Sequence, residues 1–365
     1  MKRFLHLRAQ TTRLDRPLLF LTMGLLVFGL AMVFDASVAD AIRTFQDKFF
    51  YLKRQLIWAV FGVLAMFVLS QINYKIWEKL AVPLFLGTAV LLILVLIPGI
   101  GVSALGASRR ISLGFLGLQP AEIAKLTLTI FLSASLAKNN SFLRFIVPTV
   151  AVCLFIILEP DLGTTGIVAA TALVVYFASG APYKYFFGTI MAGLVGGLLL
   201  ALTSSYRRER IMTFLDPSLD PADTSYHVRQ ILIALGSGGF WGTGLGQSRQ
   251  KHLFLPEPAT DSIFAVIGEE LGFVGATVLI LALVALIIRG YQIASRVEDP
   301  FGRLLAVGIT SWIAIQTFIN LAAMVALVPL TGIPLPLISY GGSSLFATLI
   351  AIGVLLNISK SAQKK

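Results

Sequence analysis

Charge is scarce in this chain. Only 13% of its 365 residues are Asp, Glu, Lys or Arg, whereas 57% are hydrophobic. A soluble domain carries about a quarter charged residues, so the scarcity excludes an ordinary soluble protein and leaves a membrane protein with many spans. Cysteine is nearly absent as well. The single Cys153 excludes an intrachain disulfide and reads as a small packing residue in an apolar run. There is no HExxH, no CxxC, no GxxxxGK[ST] loop and no GxSxG serine with a credible histidine partner. These absences remove a nucleotide-driven motor from consideration. With histidine only at His6, His227 and His252, no metal site is legible. No fixed-period repeat and no low-complexity tract is present.

What is there is apolar sequence in long runs. Runs of about 20 apolar residues mark helical spans. Ten are expected, at 17–35, 55–71, 80–99, 119–137, 145–158, 163–180, 186–203, 262–288, 304–329 and 341–358. The runs do not alternate as barrel strands would, so the fold class is an all-α membrane protein. The first run follows Lys2, Arg3, Arg8, Arg13 and Arg16 and is long for a signal peptide, which reads as an uncleaved first span. With the N-terminus inside, 16 of the 29 basic residues fall in inner segments. Outside the 204–260 loop only six fall on the outer side, so both termini are expected in the cytoplasm. The net charge of +11 is then mainly cytoplasmic-loop charge and gives no reason to expect nucleic acid as a partner. The whole of 1–365 is expected to be one membrane domain, with 204–260 a large outer loop between spans seven and eight. Within that loop RQILIALGSGGF is an amphipathic helix candidate through Ile231, Leu232 and Leu235, followed by glycine turns.

Charged groups in or beside spans need a partner or a task. Glu122 and Lys125 follow Gln119-Pro120 and are three residues apart, so they share a helix face. They fit either an internal ion pair or a lysine that meets an anionic headgroup. Glu159 and Asp161 occupy a tight turn; Asp161 suits a helix N-cap, and Glu159 is harder to explain as a cap. Arg207, Arg208 and Arg210 cluster on the outer side, where they either snorkel or take phosphate oxygens, and Arg109 and Arg110 add positive charge there. Glu257 and Asp261 end the loop, with Glu269 and Glu270 beyond them. Asp261 fits an N-cap or a base at the rim of an apolar cavity. Outer carboxylates with outer arginines suit a lipid-linked, phosphate-bearing substrate.

QPAEIAKL, EPDLGT, YRRERIMTFLDP, GSGGFWGTGLGQS, LPEPATDSIFAVIGEELG and PLPLISYGGSS occur in order along nearly the whole chain. Together they resemble the SEDS family of shape, elongation, division and sporulation proteins. FYLKRQLIWAVFG and QPAEIAKL look closer to its division and sporulation branch and PLTGIPLPLISYGG to its elongation branch, and the resemblance leans toward the former. The resemblance implies a polytopic bundle similar to GT-C membrane glycosyltransferases, in the bacterial cytoplasmic (inner) membrane. It implies polymerisation of peptidoglycan strands from lipid II, with a class B penicillin-binding transpeptidase and other division or elongation membrane proteins as partners. It gives Asp261 the catalytic role, by the match of Glu257-Pro258-Ala259-Thr260-Asp261 to the family's E-x-x-T-D element. Glu122, Lys125, Glu159 and Asp161 match family elements, as do Ser343 and Ser344 before the last span. Arg207, Arg208, Arg210 and Lys125 are then candidates to meet the diphosphate charge, and Asp261 to take a sugar hydroxyl proton in one inverting displacement. A divalent cation remains open as a helper. Where family members commonly carry tryptophan, this chain has Arg110. Two other readings stay open: a lipid II flippase, and a non-catalytic scaffold for a penicillin-binding protein.

Overall fold

The computed structural model describes residues 14–99, 101–104, 107–113, 116–202, 214, 224–252 and 254–362. Eleven helices are described: α1 (Arg16–Phe45), α2 (Phe50–Gln71), α3 (Lys75–Leu96), α4 (Pro120–Leu136), α5 (Phe142–Leu158), α6 (Leu162–Ala178), α7 (Tyr183–Leu202), α8 (Thr224–Ser237), α9 (Ile263–Arg296), α10 (Pro300–Met324) and α11 (Gly342–Ala362). Each of the ten apolar runs falls largely on one of them, and α8 is the helix of the long loop. Six helices (α1, α2, α3, α9, α10 and α11) are long and apolar enough to cross a membrane, and α5, α6 and α7 are shorter apolar helices. The chain is a multi-pass membrane protein.

Helix ends follow the local chemistry. Asp15 caps α1, accepting from Leu18 N at 3.0 Å, and Asp299 caps α10, accepting from Gly302 N at 2.9 Å; proline follows in the first turn of both. Small residues set the packing. A Cβ on Gly353 would lie 2.8 Å from Met66 Cα, and one on Gly62 2.5 Å from Leu349 Cδ1, so α2 and α11 approach at van der Waals distance.

Two features depart from an uninterrupted bundle. The 100–118 segment, expected as a loop, folds into a three-stranded antiparallel sheet: β1 (Gly101–Ala104), β2 (Ala107–Leu113) and β3 (Leu116–Leu118). The second is a break inside α9, where the sequence suggests one continuous span. Gly272 has φ +66, and a Cβ there would lie 2.2 Å from Gly242 N. The helix groups freed by the break pair with the loop after α8. Thr243 N and Gly244 N donate to the carbonyls of Glu269 and Glu270, while Phe273 N and Val274 N donate to Gly239 and Phe240. The glycine-rich sequence between α8 and α9 is thus stitched into the helix. α8 forms as its pattern suggests, but it buries Ile231 and Ala234 and leaves Leu232 46% exposed.

A polar cavity at the sheet end of the bundle

Side chains from many elements enclose a cavity of about 210 Å³ beside the sheet. Arg54 and Trp58 come from α2, Arg109 and Arg110 from β2, and Glu122 and Lys125 from α4. Asp161, Thr164, residues 331–334 and residues 340–344 complete much of the wall.

Lys125 is the most buried cation in that wall, with its side chain 1% exposed. Its Nζ lies 2.8 Å from both Glu122 oxygens and 2.7 Å from Gln316 Oε1. It also sits 4.9 Å from the centre of the Trp312 ring, whose Nε1 donates to the same Gln316 oxygen at 2.8 Å. Gln316 Nε2 in turn donates to the Pro334 carbonyl at 2.9 Å. The ammonium is therefore aimed by α10 and by the 331–334 segment as well as by its neighbour on α4.

Asp161 caps α6 with both oxygens engaged, accepting from Thr164 N and Thr164 Oγ1 at 2.9 Å each. Glu159 is wholly buried, and among the described residues neither carboxylate oxygen has a hydrogen-bond partner. Burial, with the nearby Asp161 carboxylate, pushes its carboxyl up to about 8, although Arg109 opposes the shift. Arg109 Nε donates to the Glu159 carbonyl at 3.0 Å and its Nη2 to the Pro160 carbonyl, which fixes β2 to the turn before α6. Ser343 Oγ donates to the Gly117 carbonyl at 2.9 Å and accepts from Gln119 N at 3.1 Å, tying α11 to the strand end. Ser344 lies 3.4 Å from Gln316 Nε2. Burial raises the Tyr340 phenol, while the charges of Arg54 and Arg110, which line the same wall, pull it back.

Asp261 stands at the edge of this cavity. It is buried and lines a small adjoining pocket with Asn320 and residues 330–333. Thr331, Gly332 and Ile333 are common to both spaces. Gly332, at φ +69, forms the thin part of the wall: a Cβ there would be 3.9 Å from Asp261 Oδ2. Asn320 Nδ2 holds the loops together, donating to the Asp261 carbonyl at 2.9 Å and the Ile333 carbonyl at 2.8 Å. Tyr340 N donates to the Ala259 carbonyl at 2.8 Å. Thr260 Oγ1 is 2.8 Å from Glu257 Oε2 and 3.3 Å from Asp261 Oδ1, so one hydroxyl stands between the two carboxylates. Ser262, rather than Asp261, is the cap residue of α9.

The structure thus gathers Arg109, Glu122, Lys125, Asp161, Ser343 and Ser344 around one cavity, with Asp261 in the adjoining pocket. Glu257 and Glu159 line neither space and reach the cavity only through Thr260 and Arg109. Arg207, Arg208 and Arg210 lie outside the described residues. Arg54, Gln316 and Asn320 were not singled out in the sequence. Gln316 and Asn320 are polar residues four apart in an apolar helix, a signal of the kind that exposes Lys125. Glu269 and Glu270 serve elsewhere: they accept backbone N–H groups from residues 246–250. Among the described residues, no three His, Cys, Asp or Glu side chains converge to hold a metal ion.

A helical multi-pass bundle with a charged cavity at one end is the class that fold and site define. The chain belongs to the Cell cycle protein family of FtsW, RodA and SpoVE, whose model matches residues 16–364. It is 41% identical over 355 residues to the probable peptidoglycan glycosyltransferase FtsW of Geobacter metallireducens, covering 95% of each chain. It is 43% identical over 354 residues to the stage V sporulation protein E of Bacillus subtilis, covering 95% of this chain and 97% of the relative. These relatives lie on the branch toward which the sequence leans. Among solved structures, a chain from a study of structural coordination of polymerization and crosslinking by a peptidoglycan synthase complex superposes with a TM-score of 0.79 at 28% identity, covering 96% of this chain and 99% of that one. The rod shape determining protein RodA of Thermus thermophilus superposes at 0.71 with 28% identity, covering 96% and 98%.

Proposed function

We propose that this protein is a peptidoglycan glycosyltransferase that extends glycan strands from lipid II at the outer face of the bacterial inner membrane. The observation that carries the reading is the cavity itself, in which cationic side chains face a common space and Asp261 stands across the thin Gly332 wall. Transfer from a polyprenyl diphosphate creates negative charge on the leaving group. Lys125, Arg207, Arg208 and Arg210 are the candidates to meet that charge, and Arg109, which lines the cavity with Lys125, joins them. The acceptor's 4-hydroxyl must lose a proton as the new bond forms. Asp261 takes that proton in a single inverting displacement, with Glu257 and Thr260 holding its orientation. Glu122 keeps the Lys125 ammonium in place, and Ser343 and Ser344 line the same wall.

The basic-residue bias supports ten spans, both termini in the cytoplasm and a single membrane domain over 1–365, with 204–260 as its outer loop. A class B penicillin-binding transpeptidase is the partner this reading implies, alongside other division or elongation membrane proteins. A flippase is disfavoured by the α9 break. Transporters place broken helices around a mid-membrane substrate site. Here the break pairs with the glycine loop and contributes nothing to the cavity wall.

The test is polymerisation of lipid II by the purified chain, alone and with its cognate transpeptidase. Asp261→Asn is expected to cut strand formation by about 100-fold or more with thermal stability unchanged. Full activity in the variant excludes Asp261 as the base. No activity in the folded wild type with its partner excludes the polymerase reading.

A further inference from the structure

Consecutive residues in a regular strand face opposite sides of a sheet. Arg109 and Arg110 break that rule, since both line the cavity. The pairing of β1 with β2 shows why. Val102 is opposite Arg110 and Ser103 is opposite Ser108, so Arg109 is an extra residue with no partner. This is a β-bulge, the device by which a strand re-aims a side chain. It turns what would be one inward and one outward arginine into two inward ones.

The two guanidinium groups are differently occupied. Arg109 is fastened to two backbone carbonyls. Arg110 is exposed, and its stem passes Gly117, where a Cβ would stand 3.6 Å from Arg110 Cδ. Arg54 joins it near Tyr340, lying 4.3 Å from the centre of the Phe50 ring. Among the described residues, no carboxylate lies within ion-pairing distance of Arg54, Arg109 or Arg110. The wall holds four cationic side chains against Glu122 and Asp161, and both acids are already engaged. Three forked cations around one space exceed what a single carboxylate satisfies, but they suit the several oxygens of a diphosphate.

We propose that Arg110 and Arg54 form an anion-binding subsite at the mouth of the cavity that takes the diphosphate of a polyprenyl-linked ligand. Arg110 is the member that the chain leaves exposed at the cavity wall. The inference rests on the lipid-linked glycosyl transfer proposed above. Its first consequence is that this protein holds a lipid diphosphate more by charge, and with a steeper salt dependence, than a tryptophan at that position allows.

The experiment titrates the full chain in detergent micelles with undecaprenyl diphosphate and, separately, with the free stem pentapeptide. Wild type is compared with Arg110→Trp, Arg110→Ala and Arg110→Lys, and strand formation from lipid II is measured on the same preparations. Arg110→Trp and Arg110→Ala are expected to weaken undecaprenyl diphosphate binding about tenfold and flatten its salt dependence, with Arg110→Lys in between. Pentapeptide binding is expected to stay unchanged. Unaltered diphosphate affinity in both the Trp and Ala variants overturns the subsite. A loss confined to the pentapeptide also overturns it and moves Arg110 to the acceptor's carboxylates. Wild-type strand formation with unaltered variant affinity defeats this inference alone. Diphosphate binding that depends on Arg110 without wild-type strand formation defeats the polymerase reading and leaves the subsite standing.

Discussion

Among the described residues, two lysines are buried with carboxylate partners, and their surroundings differ. Lys251 is saturated. Its Nζ donates to both Asp35 oxygens at 2.8 Å and to Glu270 Oε1 at 2.7 Å. Glu270 also accepts from Gly246 N and Ser248 N, and Glu269 from Ser248 Oγ, Arg249 N and Gln250 N. Every charge there is spent on fastening the loop after α8 to α1 and α9. Lys125 also has three oxygens within 2.8 Å, but they come from one carboxylate and one amide, with the face of an indole beside them, and the residue lines the cavity. A buried cation whose shell is filled by the chain holds the fold. One that faces a single carboxylate and lines a cavity is near enough to a bound ligand to act on its charge.

Three substitutions press on that contrast. The largest effect on the fold is expected from Lys251→Met, which leaves Glu270 and Asp35 facing each other without their counter-charge. A loss of about 3–5 kcal/mol is expected by thermal unfolding in detergent. Unchanged stability would show that the network is not a staple. At the other lysine the pair is removed together, by Glu122→Gln with Lys125→Met. Stability is expected to stay within about 1–2 kcal/mol, because no uncompensated charge remains. Strand formation is expected to fall roughly 100-fold, as when a group that meets developing charge is lost. The reverse outcome, a fold lost with activity per folded molecule retained, would make Lys125 the structural residue.

The smallest effect concerns Glu159. Its folded carboxyl is raised to about 8 from an ordinary 4.5, so between those values the folded chain holds a proton that the unfolded chain has released. Stability therefore declines as pH rises from about 4.5 to about 8 and is level on either side. Glu159→Gln is expected to remove that slope and to gain stability at the alkaline end, as read from unfolding midpoints across pH. A slope that survives the substitution assigns it to another group.

The bundle was legible in the sequence because apolar length dictates a helix in a membrane, and six of the runs fall on helices long enough to cross one. Glu122 and Lys125 were legible for the complementary reason, since a charge inside an apolar run stands out, whereas Asp261, at the end of a polar loop, was singled out by the family element around it. Other parts were silent. The partners of Lys251 are 216 residues away at Asp35 and 19 away at Glu270, and no local spacing announces such a pair. The sheet from 101 to 118 hides in short, glycine-broken segments without the length that marks a helix. The break at Gly272 lies inside a run that reads as one span, and only the approach of Gly242 shows why a glycine stands there. Arg54 looked like one more basic residue in a connecting loop until α2 placed it at the cavity mouth.

The bulge at Arg109 makes the number of residues in β2 matter as much as their identity. Alternation along a strand has a parity, and the extra residue changes it once, between Ser108 and Arg110. Removing one residue there restores the even pattern and turns one guanidinium outward, with net charge and composition barely altered. The electrostatic character of the cavity mouth is thus encoded partly as a length. A scan of single substitutions leaves that variable untouched, whereas a one-residue deletion resets it in a single step.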